Sequence, residues 1–211
     1  MRNRNIKQMQ FPNIEHTFLM IKPDGVKRGL IGDIFTRLEK IGLKMVAARM
    51  IRATEDQAKG NYPGTEAWLK GMGEKTLNNY VGNLEALKRD LSTTDTLEIG
   101  KMVHDGLVRY LTEGPVIISV WEGNHAVKVL RRIAGKTDPT VADIGTIRGD
   151  YGFDTPQFAI RSGRIVFITL VHISDSPEEA KREITHWFGE KYKYLGNYER
   201  LDYTGTFEIL S

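Results

Sequence analysis

The chain has no cysteine among its 211 residues. It therefore forms no disulfide framework and no thiolate metal site, which fits a reducing compartment and leads us to expect a cytoplasmic protein. No apolar run approaches the roughly 18–20 residues needed to cross a bilayer, so no membrane partner is expected. A large charge of one sign is also missing. The net charge of +3 is too mild to argue for nucleic acid as a partner. Met1 to Gln10 is polar and basic without an apolar h-region, so it is no secretory signal; residues 1–14 read as a flexible tail. What is present is an ordinary globular balance, 40% hydrophobic and 27% charged, on a chain of 24.0 kDa that can bury one proper core. Residues 1–211 are read as a single domain carrying one insertion.

In chain order, Thr17 to Ile21 is a short buried strand, closed by the turn Lys22-Pro23-Asp24-Gly25, which leaves Lys22 at the strand's C-terminal end. A helix spans about Leu30 to Ile41, and Leu43 to Thr54 is a second strand. Glu55 opens a helix that ends near Tyr62-Pro63-Gly64. From Thr65 to about Thr96 the pattern weakens. Trp68, Leu69, Leu77, Tyr80, Val81, Leu84 and Leu87 suggest two short helices joined around Gly71-Met72-Gly73, an insertion packed on the main core. Leu97 to Thr112 is helical, Val116 to Trp121 is another continuous apolar strand, and His125 to Ala134 is a helix. Thr137 to Tyr151 is long and irregular, and loops of that length are often functional. Ile165 to Val171 reads as a strand and Ser176 onward as a helix, with a polar tail from Gly189. Without the insertion the order approaches two βαβ halves. That is an α+β, ferredoxin-like βαββαβ arrangement, an antiparallel sheet with helices on one face.

Two familiar phosphate signatures fail. Gly135-Lys136-Thr137 imitates the end of a P-loop, but the glycine required five positions earlier is Leu130 and the tripeptide ends a helix instead of opening one. No G-x-G-x-x-G follows a strand. The histidines (16, 104, 125, 172, 186) show no ligand spacing with a matching carboxylate, so no zinc site is expected.

The stretch Arg164 to Trp187 is different. His172 sits where an apolar strand ends. Ser176 is an N-cap, Pro177 suits the first helical turn, and Glu179 completes an S-x-x-E capping box. Ala180, Ile184 and Trp187 form the core-facing stripe of that helix, and Glu183 lies on the same stripe. A carboxylate among core positions needs a partner, and His172 is a candidate. By itself the pair reads more readily as a satisfied core histidine beside a peripheral glutamate. Lys22, Arg131 and Arg148 are singly ordinary surface charges. Gathered near His172, they would provide the charge stabilisation that phosphoryl transfer needs.

Four strings decide between these readings. Thr17-Phe18-Leu19-Met20-Ile21-Lys22-Pro23-Asp24-Gly25-Val26, Gly114-Pro115 through Val120-Trp121-Glu122-Gly123, Gly145-Thr146-Ile147-Arg148-Gly149-Asp150 and His172-Ile173-Ser174-Asp175-Ser176 occur in this order. Together they resemble the nucleoside diphosphate kinase family. The resemblance implies a ferredoxin-like domain and a ping-pong exchange of γ-phosphate between nucleoside triphosphates and diphosphates. It puts His172 at the nucleophile that becomes phosphohistidine and Glu183 at the residue holding the imidazole in its reactive tautomer. Ser174 falls beside the histidine, and Lys22, Tyr62, Arg131, Thr137 and Arg148 fall at phosphate and active-site contacts. Val103 stands where the family has a base-stacking phenylalanine, Thr169 where it has a sugar-contacting asparagine, and Ile173 where it has a small residue. Trp68 or Tyr80 in the insertion could supply the missing aromatic surface. Mg²⁺ would arrive on the nucleotide phosphates, with no metal cage from the protein. A homo-oligomer is implied, a hexamer or a tetramer of dimers. The alternative is a nucleotide-binding, kinase-like protein with little turnover and a regulatory or assembly role.

Overall fold

The structure, a computed structural model, describes residues 14–190 together with Tyr192, Gly196 and Tyr198. The expected N-terminal tail and most of the polar stretch after Gly189 lie outside the described residues, except that Ile14 is already the first residue of a strand.

The elements run β1 (Ile14–Ile21), α1 (Pro23–Lys27), α2 (Ile31–Lys40), β2 (Lys44–Ile51), α3 (Glu55–Asn61), α4 (Glu66–Asn78), α5 (Leu84–Leu91) and α6 (Thr96–Thr112). Then come β3 (Val116–Asn124), α7 (Ala126–Ala134), one 3-10 turn (Pro139–Val141), α8 (Ile147–Tyr151), α9 (Pro156–Arg161), β4 (Val171–Ile173) and α10 (Pro177–Phe188). The sheet order is β2-β3-β1-β4 with every neighbouring pair antiparallel. This is the ferredoxin-like topology, with α2 and α7 as the crossovers of the two βαβ halves.

Helices cover both faces of the sheet, not one. Phe18 and Met20 point into a core with Val108 and Leu111 of α6 and with Ala180, Ile184 and Trp187 of α10. Leu19 and Ile21, one residue out of phase, point into a second core with Ile34 and Leu38 of α2 and Leu130 of α7. The reason lies in the strands. Continuous apolar runs such as 17–21 and 116–121 have no polar face to give to water, so both sides must be covered.

Two further expectations change. α4 runs unbroken through Gly71-Met72-Gly73, and Gly73 serves packing instead of a turn, while Gly71 faces open space. A Cβ on Gly73 would stand 1.9 Å from the Thr96 carbonyl oxygen, and one on Gly100 of α6 would stand 2.0 Å from that of Leu69. Each glycine therefore lets α4 and α6 approach to backbone contact. The run Ile165–Leu170 is not a strand; pairing with β1 begins only at Val171. The N–H groups that would enter a ladder are taken by side chains instead. Asp154 Oδ2 accepts from Ile168 N at 2.7 Å, the Tyr110 hydroxyl from Thr169 N at 3.3 Å, and Asp24 Oδ2 from Leu170 N at 3.2 Å. The irregular stretch 137–151 contains the 3-10 turn and α8, and α9 lies in the connection that follows.

Candidate active site

β4 is three residues long, and it sets the phase of the site. His172 opposes Met20 and shares the face of the first core, while Val171 and Ile173 alternate into the second. Ile173 thus packs into the second core, and it also lines the cleft beside the imidazole.

Behind His172, α10 brings up a fully buried carboxylate. His172 Nε2 lies 2.5 Å from Glu183 Oε1, and the Ser174 hydroxyl donates to Glu183 Oε2 at 2.6 Å. A carboxylate can only accept, so the geometry assigns the proton to Nε2 and leaves the lone pair on Nδ1. Arg182 stands 3.6 Å from the same Oε1 and donates to the carbonyls of Gly60 and Asn61, tying α10 to the end of α3 beside Tyr62. The start of α10 is fixed by Ser176 Oγ accepting from Glu179 N. The expected reciprocal half of the capping box is displaced by one residue, because Glu179 takes the N–H of Asp175 instead.

In front of His172 is a cleft of about 640 Å³. It gathers the cations Lys22, Arg131 and Arg148 with Tyr62, Thr137, Thr169 and Val103, so all seven residues expected around a nucleotide line one space. Lys22, at the end of β1, is only 5% exposed; its ammonium donates to Thr169 Oγ1 at 2.9 Å and lies 5.1 Å from the Tyr110 ring centroid. Burial first, then the neighbouring Arg148 charge, pull its pKa down to about 7 against the opposing pull of Asp24. Arg148 is pulled down to about 10, again by burial first and then by Arg131. Its guanidinium donates to the carbonyls of Gly135 at 2.7 Å and Val171 at 2.9 Å. Arg131, at the other wall, is ion-paired with Asp175. The Tyr62 hydroxyl is buried with no close hydrogen-bond partner among the described residues, and burial, then Glu183, push its pKa up against an opposing pull from Asn61, so it remains a donor. Trp68 stacks on Tyr62 with ring centroids 5.9 Å apart, while Tyr80 and Trp68 both reach the cleft wall.

Three residues that hold this site together escaped the sequence reading: Tyr110, Asp24 and Asp154. Tyr110 donates to Asp24 Oδ1 and accepts from Thr169, Asp24 holds Leu170, and Asp154 pairs with Arg164 at 2.7 and 2.8 Å while holding Ile168. One signal was available. Tyr110 continues the inward stripe of Val103 and Leu107, and a tyrosine hydroxyl on such a stripe needs a partner.

Among the described residues no group of three or more His, Asp or Glu is placed to cage a metal ion. The donors facing the cleft are mostly cationic, which suits an anionic ligand that carries its own counter-ion. A ferredoxin-like domain that presents an oriented imidazole to a cation-lined cleft belongs to the class of sites able to handle phosphate. The comparisons narrow the class to a family. The sequence model described as Nucleoside diphosphate kinase matches residues 15–68 and 91–192. A Pyrobaculum aerophilum protein named nucleoside diphosphate kinase is 45% identical over 178 residues, covering 84% of this chain and 97% of its own. One from Symbiobacterium thermophilum is 37% identical over 177 residues, covering 84% and 89%. The crystal structure of an NDP kinase from Pyrobaculum aerophilum superposes with a TM-score of 0.81 at 43% identity, over 85% of this chain and 98% of that one. A Borrelia burgdorferi nucleoside-diphosphate kinase, solved as a transition-state mimic with vanadate and ADP, gives 0.68 at 31% identity over 90% and 94%. The chain belongs to the nucleoside diphosphate kinase family. Residues 69–90, which the family model skips, hold most of α4 and nearly all of α5.

Proposed function

We propose that this protein transfers the γ-phosphate of a nucleoside triphosphate to a nucleoside diphosphate in two half-reactions, with His172 as the carrier. The observation that carries the reading is the hydrogen-bonded set His172–Glu183–Ser174 behind a cleft lined by Lys22, Arg131 and Arg148. In the first half-reaction the lone pair of Nδ1 attacks the γ-phosphorus in line. The bond from phosphorus to the β–γ bridging oxygen breaks, its electrons leave with the diphosphate, and the imidazole holds the phosphoryl group. The positive charge that develops on the ring faces Glu183, whose two oxygens are already held by Nε2–H and the Ser174 hydroxyl. In the second half-reaction an acceptor β-phosphate oxygen attacks the same phosphorus and Nδ1 leaves.

Lys22, Arg131, Arg148 and the Tyr62 hydroxyl meet the phosphate oxygens, and Thr137 and Thr169 complete the polar wall. Arg131 must leave Asp175 to do so. Mg²⁺ bound to the incoming phosphates, with Asp175 the adjacent carboxylate of the cleft, would supply further neutralisation of charge. No helix among the described residues is long and apolar enough to cross a membrane. A cytoplasmic setting and a homo-oligomer, a hexamer or a tetramer of dimers, belong to the same reading. The test is incubation with γ-labelled ATP followed by a chase with GDP. An acid-labile, base-stable label should appear, vanish in His172→Ala, and move to GDP. Label that never transfers would mark a nucleotide-binding relative with little turnover, and no label in the unmodified protein would overturn the reading.

A further inference from the structure

Arg148 reaches the cleft from α8, which is five residues long. Isolated helices shorter than roughly 12–15 residues are marginal in water, so α8 needs support from outside itself. Part of that support is local. Thr146 Oγ1 accepts from Gly149 N at 3.0 Å and donates to the Asp143 carbonyl at 2.6 Å. The rest comes from the last turn of α2. There Arg37 donates from Nη1 to the Gly145 carbonyl at 2.9 Å, and from Nη2 to Asp150 Oδ2 at 2.6 Å and the Tyr151 hydroxyl at 3.0 Å. Its guanidinium also lies 4.7 Å from the Tyr151 ring centroid. Asp150 Oδ1 accepts in turn from Gly145 N at 2.7 Å. Arg37, Asp150 and Gly145 thus close a hydrogen-bonded ring that grips the chain on both sides of Arg148. The Gly145 N–H first, then Arg37, hold the Asp150 carboxyl below its usual range, so the ring stays ionised at neutral pH.

We propose that Arg37 is a positioning residue for phosphoryl transfer, which fixes α8 against α2 and so sets where the Arg148 guanidinium stands in the cleft. This rests on the function proposed above. Arg37 is not among the residues that line the cleft, so it acts through Arg148 and not on the phosphate. Arg148 has little freedom to compensate for a shifted helix. A guanidinium has five N–H donors, and three of them are committed to the carbonyls of Gly135, Thr169 and Val171. Those carbonyls belong to other segments, so α8 must stand in one place for all three and for the phosphate at once. A displacement of about 1 Å, arising far from the chemistry, costs on the order of 100-fold in a well-oriented reaction.

The experiment is a double-mutant cycle on Kd for ADP, read by calorimetry, with the rate of labelling by γ-labelled ATP measured beside it. Arg37→Ala should weaken ADP about tenfold, the worth of one to two well-placed hydrogen bonds at Arg148, and slow labelling. In the Arg148→Ala background the same substitution should change Kd hardly at all, because the residue it positions is gone. Arg37→Lys keeps the charge for Asp150 but not the second grip on Gly145, and should recover part of the loss. Asp150→Asn, which opens the ring from its other side, should weaken ADP in the same direction. A merely structural Arg37 would lower the urea midpoint and weaken ADP equally in both backgrounds, and that result would overturn the proposal. So would an unchanged Kd in Arg37→Ala. If the unmodified protein takes up no label, the kinase reading fails, and the cycle on ADP binding still judges Arg37.

Discussion

Two apolar stretches flank the site, and they solve the same problem in different ways. In β1 the backbone groups are taken by neighbouring strands, β3 along its whole length and β4 at its end. In 165–170, of similar apolar character, the N–H groups of Ile168, Thr169 and Leu170 go to Asp154, Tyr110 and Asp24. The carbonyls there have mixed partners: Leu170 O accepts from the backbone N–H of Lys22 at 2.8 Å, and Thr169 O accepts from the Arg148 guanidinium Nε at 3.4 Å. Leu170 sits at φ +63°, a conformation that costs a non-glycine residue about 1–3 kcal/mol. A ladder satisfies a backbone but leaves its edges regular. Side-chain partners satisfy it while bending it, and the bend puts Thr169 Oγ1 within reach of the Lys22 ammonium.

If the irregular stretch depends on its side-chain partners, removing them should harm it in proportion to what each holds. Asp154→Ala removes the partner of both Arg164 and Ile168 from a fully buried position. It should cost about 3 kcal/mol, moderated because Arg164 reaches water, and a urea midpoint at unchanged m would measure it. Tyr110→Phe strands the Thr169 N–H and one oxygen of Asp24, for about 1–3 kcal/mol. Because Thr169 then loosens its hold on Lys22, KM for nucleotides should rise along with the loss of stability. An unchanged KM would mean that the bend is not what positions the lysine.

The smallest expected effect tests Lys22, which joins the two stretches. Its depressed pKa, about 7, means that the free protein loses this proton as pH rises through 7. Nucleotide phosphates favour the charged form, so binding above pH 7 takes up a proton. Affinity should fall by up to about tenfold per pH unit there, about 1.4 kcal/mol. Calorimetry in buffers of different ionisation enthalpy reads the uptake directly, and Lys22→Arg should abolish it. Uptake that persists in that variant would assign the proton elsewhere.

Much of this was legible in the order of residues. β1, α2, β3, α7 and α10 fall within a few residues of their sequence signals, because caps, periodicity and unbroken apolar runs act locally. His172 with Glu183 was visible as a carboxylate on an apolar stripe. The strand expected at 165–171 was not what formed, since nothing in its own residues announces that Asp24, Tyr110 and Asp154 will claim its N–H groups. Nor did Gly71-Met72-Gly73 announce a close helix crossing; glycine reads locally as a break, and only a neighbour at backbone distance turns it into a fit.

The sequence by itself determined the ferredoxin-like order of elements and the chemical types available for phosphate, while the covering of both sheet faces came only with the structure. The order and the chemical types follow from local pattern or from side-chain identity alone. Only the tertiary structure decided which nitrogen of His172 is free, that Lys22 is buried beside Arg148, and that α4 forms one wall of the same cleft. Those facts depend on distances between residues far apart in the chain, where burial and neighbouring charge, not residue type, set the chemistry.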